Sequence, residues 1–172
     1  MIFLDLARIL SGVVVLLVSV SYARTGSLTW GCESRWLYPG YVMFRLFSGP
    51  RVFTDDELAF YDGRNGSRIF LALNGTVYDV SARPEMYGPG STYSMLAARD
   101  ATRAFVNGCM RDDAQLTYDL RGLDQTKAEE AIRKWKEFFD SKPRYWVVGR
   151  VEHDPAKLDS DIPPFCDQPT YF

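Results

Sequence analysis

The sequence predicts an α+β domain behind an N-terminal transmembrane or signal-anchor helix. Three observations predict this class: an uncharged apolar run near the N-terminus, two strand-like runs around an Asn-Gly dipeptide, and two later stretches with apolar residues at helical spacing. A chain of 172 residues has room for one domain together with an anchor or a tail. The expected boundaries are 1–24 for the anchor, 25–50 for an aromatic juxtamembrane segment, 51–152 for the domain and 153–172 for an extended tail.

The composition excludes some classes of function. The net charge is −2 and the basic residues are scattered, so the basic surface that nucleic-acid binding requires is missing. The single histidine, His153, lies in a polar, proline-containing stretch that is typical of a solvated tail, which makes a histidine-based catalytic site a poor hypothesis. No catalytic residue is predicted. An aromatic content of 15% indicates a flat ligand, a crowded interface or simply an aromatic core.

The N-terminal run Ile9–Ala23 carries no charge and is flanked by Arg8 and Arg24. It is a signal peptide or an anchor, and residues 1–6 can extend it toward the length of about 20 residues that spans a bilayer. The segment Ser21-Tyr22-Ala23 fits a cleavage site only loosely, so an uncleaved signal anchor is the expectation. We expect a membrane of the endoplasmic reticulum or another part of the secretory pathway, with the domain on the lumenal or extracellular side.

Two further features agree with export. Asn65 and Asn74 each begin an N-x-S/T acceptor for glycosylation, although Asn74-Gly75 also suits a hairpin turn. Cys109 and Cys166 could form a disulfide in an oxidising lumen, with Cys32 left over. The three cysteines stand too far apart to predict a zinc site.

The stretch Leu28–Phe47 is too apolar and aromatic for a free linker. Because Trp and Tyr favour the headgroup layer, it is expected to lie on the membrane surface or to bind subunits of a membrane protein complex. The alternative is that it covers the domain's own core.

Local signals then predict the elements of the domain in order. Thr54-x-x-Glu57 is a capping box that starts a short helix running to about Tyr61. Strand-like runs at 69–73 and 76–80 flank Asn74-Gly75, the dipeptide most typical of a type I′ hairpin turn. The loop 87–92 contains two glycines and a proline, so it continues neither a strand nor a helix.

The second half of the domain is predicted to be mainly helical. A helix is expected directly after the loop, with its apolar residues running from Met95 to Val106. Asp124 caps a further helix whose apolar stripe ends before Pro143. A closing strand follows at 145–151, and the proline-rich remainder is an extended tail.

The order of these motifs resembles the membrane-associated progesterone receptor family, a branch of the cytochrome b5-like haem/steroid-binding fold. The resemblance covers about 100 residues and rests on four motifs taken together. These are Phe53-Thr54-x-x-Glu57-Leu58, Leu73-Asn74-Gly75-x-Val77-Tyr78-Asp79-Val80, Tyr87-Gly88-Pro89-Gly90-x-x-Tyr93 and Ala98-Arg99-Asp100-Ala101-x-Arg103-Ala104.

The resemblance implies ferric haem bound through a tyrosine phenolate, and Tyr93 matches the position of that iron ligand. It also implies that Tyr87 lines the pocket, that Tyr145 donates a hydrogen bond toward the ligand tyrosine, and that Arg144 is a nearby cation. Bis-histidine ligation of the cytochrome b5 type is excluded because the chain has one histidine and no His-Pro-Gly-Gly loop.

Two functions follow as hypotheses. The first is a membrane-anchored, non-enzymatic haem-binding protein in haem carriage, sensing or regulation. The second is an interaction subunit of an endoplasmic reticulum membrane protein complex, joined through Leu28–Phe47, with or without haem. Sterol binding follows only from the family's name.

Overall fold

A computed structural model describes residues 2–158 and 161–166 of the chain, so parts of the predicted tail, residues 159–160 and 167–172, lie outside the described residues. The chain divides into two units at Ser34 and Arg35. The predicted domain boundaries stay predictions, but residues 35–48 belong to the same unit as the domain.

The first unit contains a single long helix, α1, from Ile2 to Thr25. Its segment Phe3–Thr25 has a mean hydropathy of 2.2 and is long and apolar enough to cross a membrane. By length and composition it is a candidate membrane anchor or signal sequence.

The second unit is built on a four-stranded sheet with the strand order β1-β4-β3-β2. Strands β1 and β4 are parallel, and the pairs β3–β4 and β2–β3 are antiparallel. The helices and strands are α2 (Pro39–Met43), β1 (Arg51–Thr54), α3 (Asp55–Leu58), β2 (Phe70–Leu73), β3 (Thr76–Asp79), α4 (Pro84–Tyr87), α5 (Thr102–Asn107), α6 (Gln125–Ser141) and β4 (Trp146–Glu152).

Several locally predicted features are present. The Thr54–Glu57 capping box is complete, although α3 ends at Leu58 rather than near Tyr61. The β2–β3 hairpin turns at Asn74 and Gly75 with φ of 49° and 72°, which is the left-handed backbone of a type I′ turn. Asp124 caps α6 by accepting a hydrogen bond from the backbone of Lys127.

Strands β2 and β3 are buried on both faces of the sheet, whereas β1 and β4 bury mainly one face. Side chains of successive strand residues point to opposite faces. On β2, Leu71 and Leu73 pack with the loop 87–92, α5 and α6, whereas Phe70 packs on the other face of the sheet. That second face is covered partly by Phe44, from the π-helical turn Phe44–Ser48. The part of the juxtamembrane segment from Arg35 onward therefore contributes to the domain's core.

The predicted continuous helix from Met95 to Val106 is wrong. The structure has a 3₁₀ turn at Ser94–Leu96, a turn at 97–99, and then α5. The turn at 97–99 hydrogen-bonds to β2: the amide of Ala98 donates to Phe70 at 2.7 Å, and the carbonyl of Arg99 accepts from Ala72 at 2.9 Å. These bonds to the sheet replace the helical ones, and Ala98 adopts a φ of 64°.

The C-terminal tail is bound to the domain by the side chain of Arg103, which is 2% exposed. Its guanidinium donates to the Gln115 side chain at 2.8 Å and to the backbone carbonyls of Asp119, Arg121 and Pro163 at 2.9, 2.8 and 3.1 Å. We call residues 161–166 the C-terminal strap. Arg103 thus connects α5, the segment before α6 and the strap.

Cys109 and Cys166 are joined as a disulfide, with their Cα atoms 6.4 Å apart. The bond anchors the end of the strap next to α5. Cys32 is free and exposed.

Reducing this disulfide is expected to lower the free energy of unfolding by about 4 kcal/mol, because the bond joins residues 57 apart in the sequence and so closes a long loop. The measurement is urea unfolding of the full chain in mild detergent, with and without reductant. A Cys32→Ser background keeps the free thiol out of the experiment, and an unchanged midpoint on reduction would contradict the expectation.

His153 is not part of a solvated tail, which corrects the expectation from its polar neighbours. It directly follows β4, and its side chain is 17% exposed. Its Nδ1 lies 2.7 Å from Asp55 and its Nε2 lies 3.1 Å from Asp100, while its ring stacks on Tyr118 at 3.7 Å. The partners are distant in sequence, so local composition did not indicate them.

The pKa of His153 is raised: burial opposes the charged ring, but hydrogen bonds to Asp100 and Asp55 outweigh it. The same network lowers the pKa of Asp100, where hydrogen bonds from His153, Thr102 and Gly75 outweigh the effect of burial. A protonated His153 can donate to both carboxylates at once.

Stability is therefore expected to depend on pH through His153. Because its folded pKa lies above the ordinary value of about 6.5, its contribution is complete below that pH and is lost as the pH rises through the folded pKa. We expect the free energy of unfolding of wild type to exceed that of His153→Gln by about 1.5 kcal/mol at acidic pH and by less at alkaline pH. Urea titrations across this range measure the difference, and a constant gap would contradict the prediction.

Candidate functional site

The loop between α4 and the 3₁₀ turn at Ser94–Leu96 is closed by hydrogen bonds to one carbonyl. The carbonyl oxygen of Met86 accepts from the amide of Tyr93 at 2.9 Å and from the hydroxyl of Ser91 at 2.6 Å. Gly90 has a φ of 80°, a backbone conformation that side chains disfavour. This closure places Tyr87 and Tyr93 on the same side of the loop, with ring centroids 6.1 Å apart.

A cavity of about 240 Å³ lies beside this loop, and we call it the tyrosine slot. It is enclosed by the loop on one side and by α5 and α6 on the other. Its lining is almost entirely apolar and aromatic and includes two tyrosines, Tyr87 and Tyr93. The lining residues are Met86, Tyr87, Tyr93, Leu96, Phe105, Met110, Trp135 and Phe138.

The two phenols of the slot differ in exposure. Tyr87 is 5% exposed, and burial together with the neighbouring phenol of Tyr145 raises its pKa. Tyr93 is only half-buried. A buried phenol with a raised pKa resists losing its proton, so Tyr87 is a poor phenolate donor.

Tyr145 lies behind Tyr87 rather than in the slot lining. Its ring is 3% exposed and packs edge-on against Tyr87, with centroids 6.0 Å apart. The predicted hydrogen bond from Tyr145 to the ligand tyrosine stays a prediction, and the contacts given by the structure run through Tyr87.

Arg144 is half-buried at the start of β4 and is not among the residues that line the tyrosine slot. The pKa of the exposed Glu85 carboxyl is lowered by a backbone hydrogen bond and by Arg83, and the charge of Arg144 adds to this effect. A direct role of Arg144 toward a ligand stays a prediction.

Two walls of the slot were not singled out from the sequence, Met86 and Met110. Each adjoins a residue that was singled out, since Met86 precedes Tyr87 and Met110 follows Cys109. Methionine fills irregular gaps around apolar ligands, and the position beside a predicted site residue was the available signal.

The comparisons with known proteins agree with this architecture. Residues 54–151, more than half of the chain, match the family described as "Cytochrome b5-like Heme/Steroid binding domain". The chain belongs to this family. The predicted b5-like fold and the resemblance to the membrane-associated progesterone receptor family are thereby confirmed.

Three relatives of this b5-like chain are between 35% and 40% identical to it. It is 40% identical over 108 residues to a neuferricin homolog of Caenorhabditis briggsae, covering 62% of this chain and 32% of that one. It is 38% identical over 103 residues to human membrane-associated progesterone receptor component 2, covering 59% and 45%. The solution structure of a putative steroid-binding protein from Arabidopsis is 35% identical with a TM-score of 0.53, covering 60% and 99%. The match thus spans less than half of the length of each of these two curated relatives.

Both predicted glycosylation acceptors, Asn65 and Asn74, are exposed in the b5-like domain. Asn65 lies in a 3₁₀ turn and Asn74 lies in the β2–β3 turn. Modification at either site stays a prediction.

Proposed function

We propose that this chain is a membrane-anchored, non-enzymatic haem-binding protein that acts in haem carriage, sensing or regulation, with Tyr93 as the ligand of ferric iron. The observation that carries the proposal is the tyrosine slot, in which a half-buried phenol faces a cavity with flat aromatic walls. Membership of the heme/steroid-binding family supports the ligand class.

The chemistry of the slot fits haem. A porphyrin ring needs flat apolar walls, which Phe105, Trp135 and Phe138 supply. Trp135 is held in place because its indole N–H donates to the carbonyl of Phe105 at 2.9 Å. A phenolate is a hard anionic donor that favours iron(III), so the bound haem would have a low reduction potential, which suits carriage or sensing better than rapid electron transfer.

The position of His153 supports Tyr93 as the iron ligand, because the histidine side chain is bound outside the slot. Both of its ring nitrogens contact carboxylates and its face is stacked on Tyr118. Since this is the only histidine of the chain, the donors that line the slot are the two tyrosine phenols and the thioethers of Met86 and Met110, and hard ferric iron favours an anionic oxygen over a soft thioether.

Location and role follow as parts of the same proposal. The apolar helix α1 anchors the chain in an endoplasmic reticulum or other secretory-pathway membrane, and the domain lies on the lumenal or extracellular side. The exposed acceptors Asn65 and Asn74 and the Cys109–Cys166 disulfide support that side. One relative bears the name "Cytochrome P450 regulator dap1", which is consistent with a regulatory rather than enzymatic role here.

The test is titration of the purified full chain, in mild detergent, with ferric haem. We expect a saturable Soret band and a phenolate-to-iron charge-transfer band, because the slot supplies the phenolate oxygen. Empty micelles are the control. A spectrum identical to that of haem in empty micelles would refute the proposal.

A second function, as an interaction subunit, is favoured by the exposed apolar surface of residues 35–48. Trp36, Leu46 and Phe47 are 60%, 66% and 74% exposed, although Phe44 between them is buried in the core. Large exposed apolar side chains close together are typical of protein or membrane contacts.

The double variant Leu46→Ser/Phe47→Ser tests this second function. If the surface holds a membrane partner, native gel migration in mild detergent should shift from a complex to the single chain, with the haem spectrum unchanged. Phe165→Ser, which removes another Phe that is 82% exposed, is the matched control. Identical migration of wild type and the double variant would contradict the interaction function.

A further inference from the structure

A second cleft, of about 610 Å³, lies between α5 and α6, and we call it the α6 cleft. It adjoins the tyrosine slot, because four side chains line both cavities: Phe105, Met110, Trp135 and Phe138. Phe138 is 40% exposed, so solvent reaches the wall that the two cavities share. A ligand that fills the slot therefore has one edge at the α6 cleft.

The rim of the α6 cleft is charged although its floor is apolar. Lys127, Glu130 and Lys134 line it at helical spacing on one face of α6. Lys134 pairs with Glu130 at 2.7 Å. The three groups together leave one net positive charge at the rim.

This combination of an apolar floor and a cationic rim selects among ligands. A neutral sterol offers an ammonium ion only a hydroxyl or carbonyl oxygen and no negative charge. A tetrapyrrole such as haem combines a flat apolar ring with carboxylates on one edge, and those carboxylates need water or cations when the ring is buried. The rim supplies such cations next to the slot.

We propose that Lys127 and Lys134 bind the carboxylates of the tetrapyrrole whose ring occupies the tyrosine slot. The inference rests on the proposed haem-binding function and adds the residues that orient the ring and favour an anionic ligand over a neutral one. Glu130 limits this effect, because it competes with the ligand's carboxylates for Lys134.

The experiment compares ferric haem with its dimethyl ester, in which both carboxylates are blocked. Full-length wild type and Lys127→Gln/Lys134→Gln are titrated with each in mild detergent, and the ratio of the two dissociation constants is the readout. Because the rim is exposed, we expect the preference for haem over the ester to fall about three- to tenfold in the double variant. Comparing ratios between variants cancels the partition of each compound into micelles.

Two matched variants sharpen the comparison. Arg133→Gln removes a cation of α6 that lines neither cavity and pairs with Glu137 at 2.8 Å, so its ratio should equal that of wild type. Glu130→Gln removes the competitor for Lys134, so its ratio should rise. The preference should also shrink at high salt, because exposed charges are screened.

Equal ratios in wild type and the double lysine variant would overturn the inference and leave the proposed function intact. Tyr93→Phe tests the proposed iron ligand separately from the lysines, since this variant should lose the charge-transfer band and keep the preference for haem over the ester. If wild type binds neither compound, the proposed function fails and the inference falls with it.

Discussion

Replacing Tyr93 by phenylalanine is expected to remove the phenolate-to-iron charge-transfer band and to weaken ferric haem binding by at least about tenfold, or 1.4 kcal/mol. The ring of Phe fills the same volume beside Tyr87, so the slot keeps its shape and loses only the oxygen donor. Absorption titration of the full chain in mild detergent measures both effects.

Two variants control this result. Tyr87→Phe should keep the band, because Tyr87 is buried and serves as a wall. Tyr61→Phe removes a phenol that packs against Phe70 on the other face of the sheet, so it should leave the titration unchanged. If the band survives in Tyr93→Phe and disappears in Tyr87→Phe, the iron ligand is Tyr87 and our assignment of Tyr93 is wrong.

Replacing Arg103 by leucine is expected to lower the free energy of unfolding by about 4 kcal/mol. The guanidinium donates four hydrogen bonds to neutral oxygens, and a leucine at this buried position leaves these acceptors without their donor. Arg103→Lys should recover only part of the loss, since one ammonium cannot reach all four oxygens in the segment before α6 and in the strap.

Urea unfolding followed by tryptophan fluorescence measures the loss. Arg99→Leu is the control, because Arg99 belongs to the same motif and is exposed. A loss below about 1 kcal/mol for Arg103→Leu would mean that water replaces the guanidinium at little cost.

The sequence predicted the features whose causes lie within a few residues. The Thr54–Glu57 capping box and the Asn74-Gly75 turn depend on contacts between near neighbours. The helix predicted from Met95 to Val106 failed for the complementary reason. Its periodicity suits a helix, but β2 offers its backbone as an alternative set of hydrogen-bonding partners.

The same limit applies to the candidate site. Tyr87 and Tyr93 were singled out through a resemblance of motifs, and the structure places both in one slot. The apolar stripe containing Trp135 and Phe138 was predicted, but which cavity it faces depends on how α6 packs. His153 was misjudged because its partner Asp55 lies 98 residues away in the sequence.

The parallel pairing of β1 with β4 has a consequence for synthesis of the protein. Arg51 pairs with Gly149, about 100 residues later, whereas the β2–β3 hairpin and the loop 87–92 form from near neighbours. A ribosome must therefore release the residues up to the end of β4 before that strand can enter the sheet between β1 and β3. Until then Phe70 and Val77 lack the side chains that β4 adds to their cluster, so we expect the nascent domain to expose more apolar surface than the folded one.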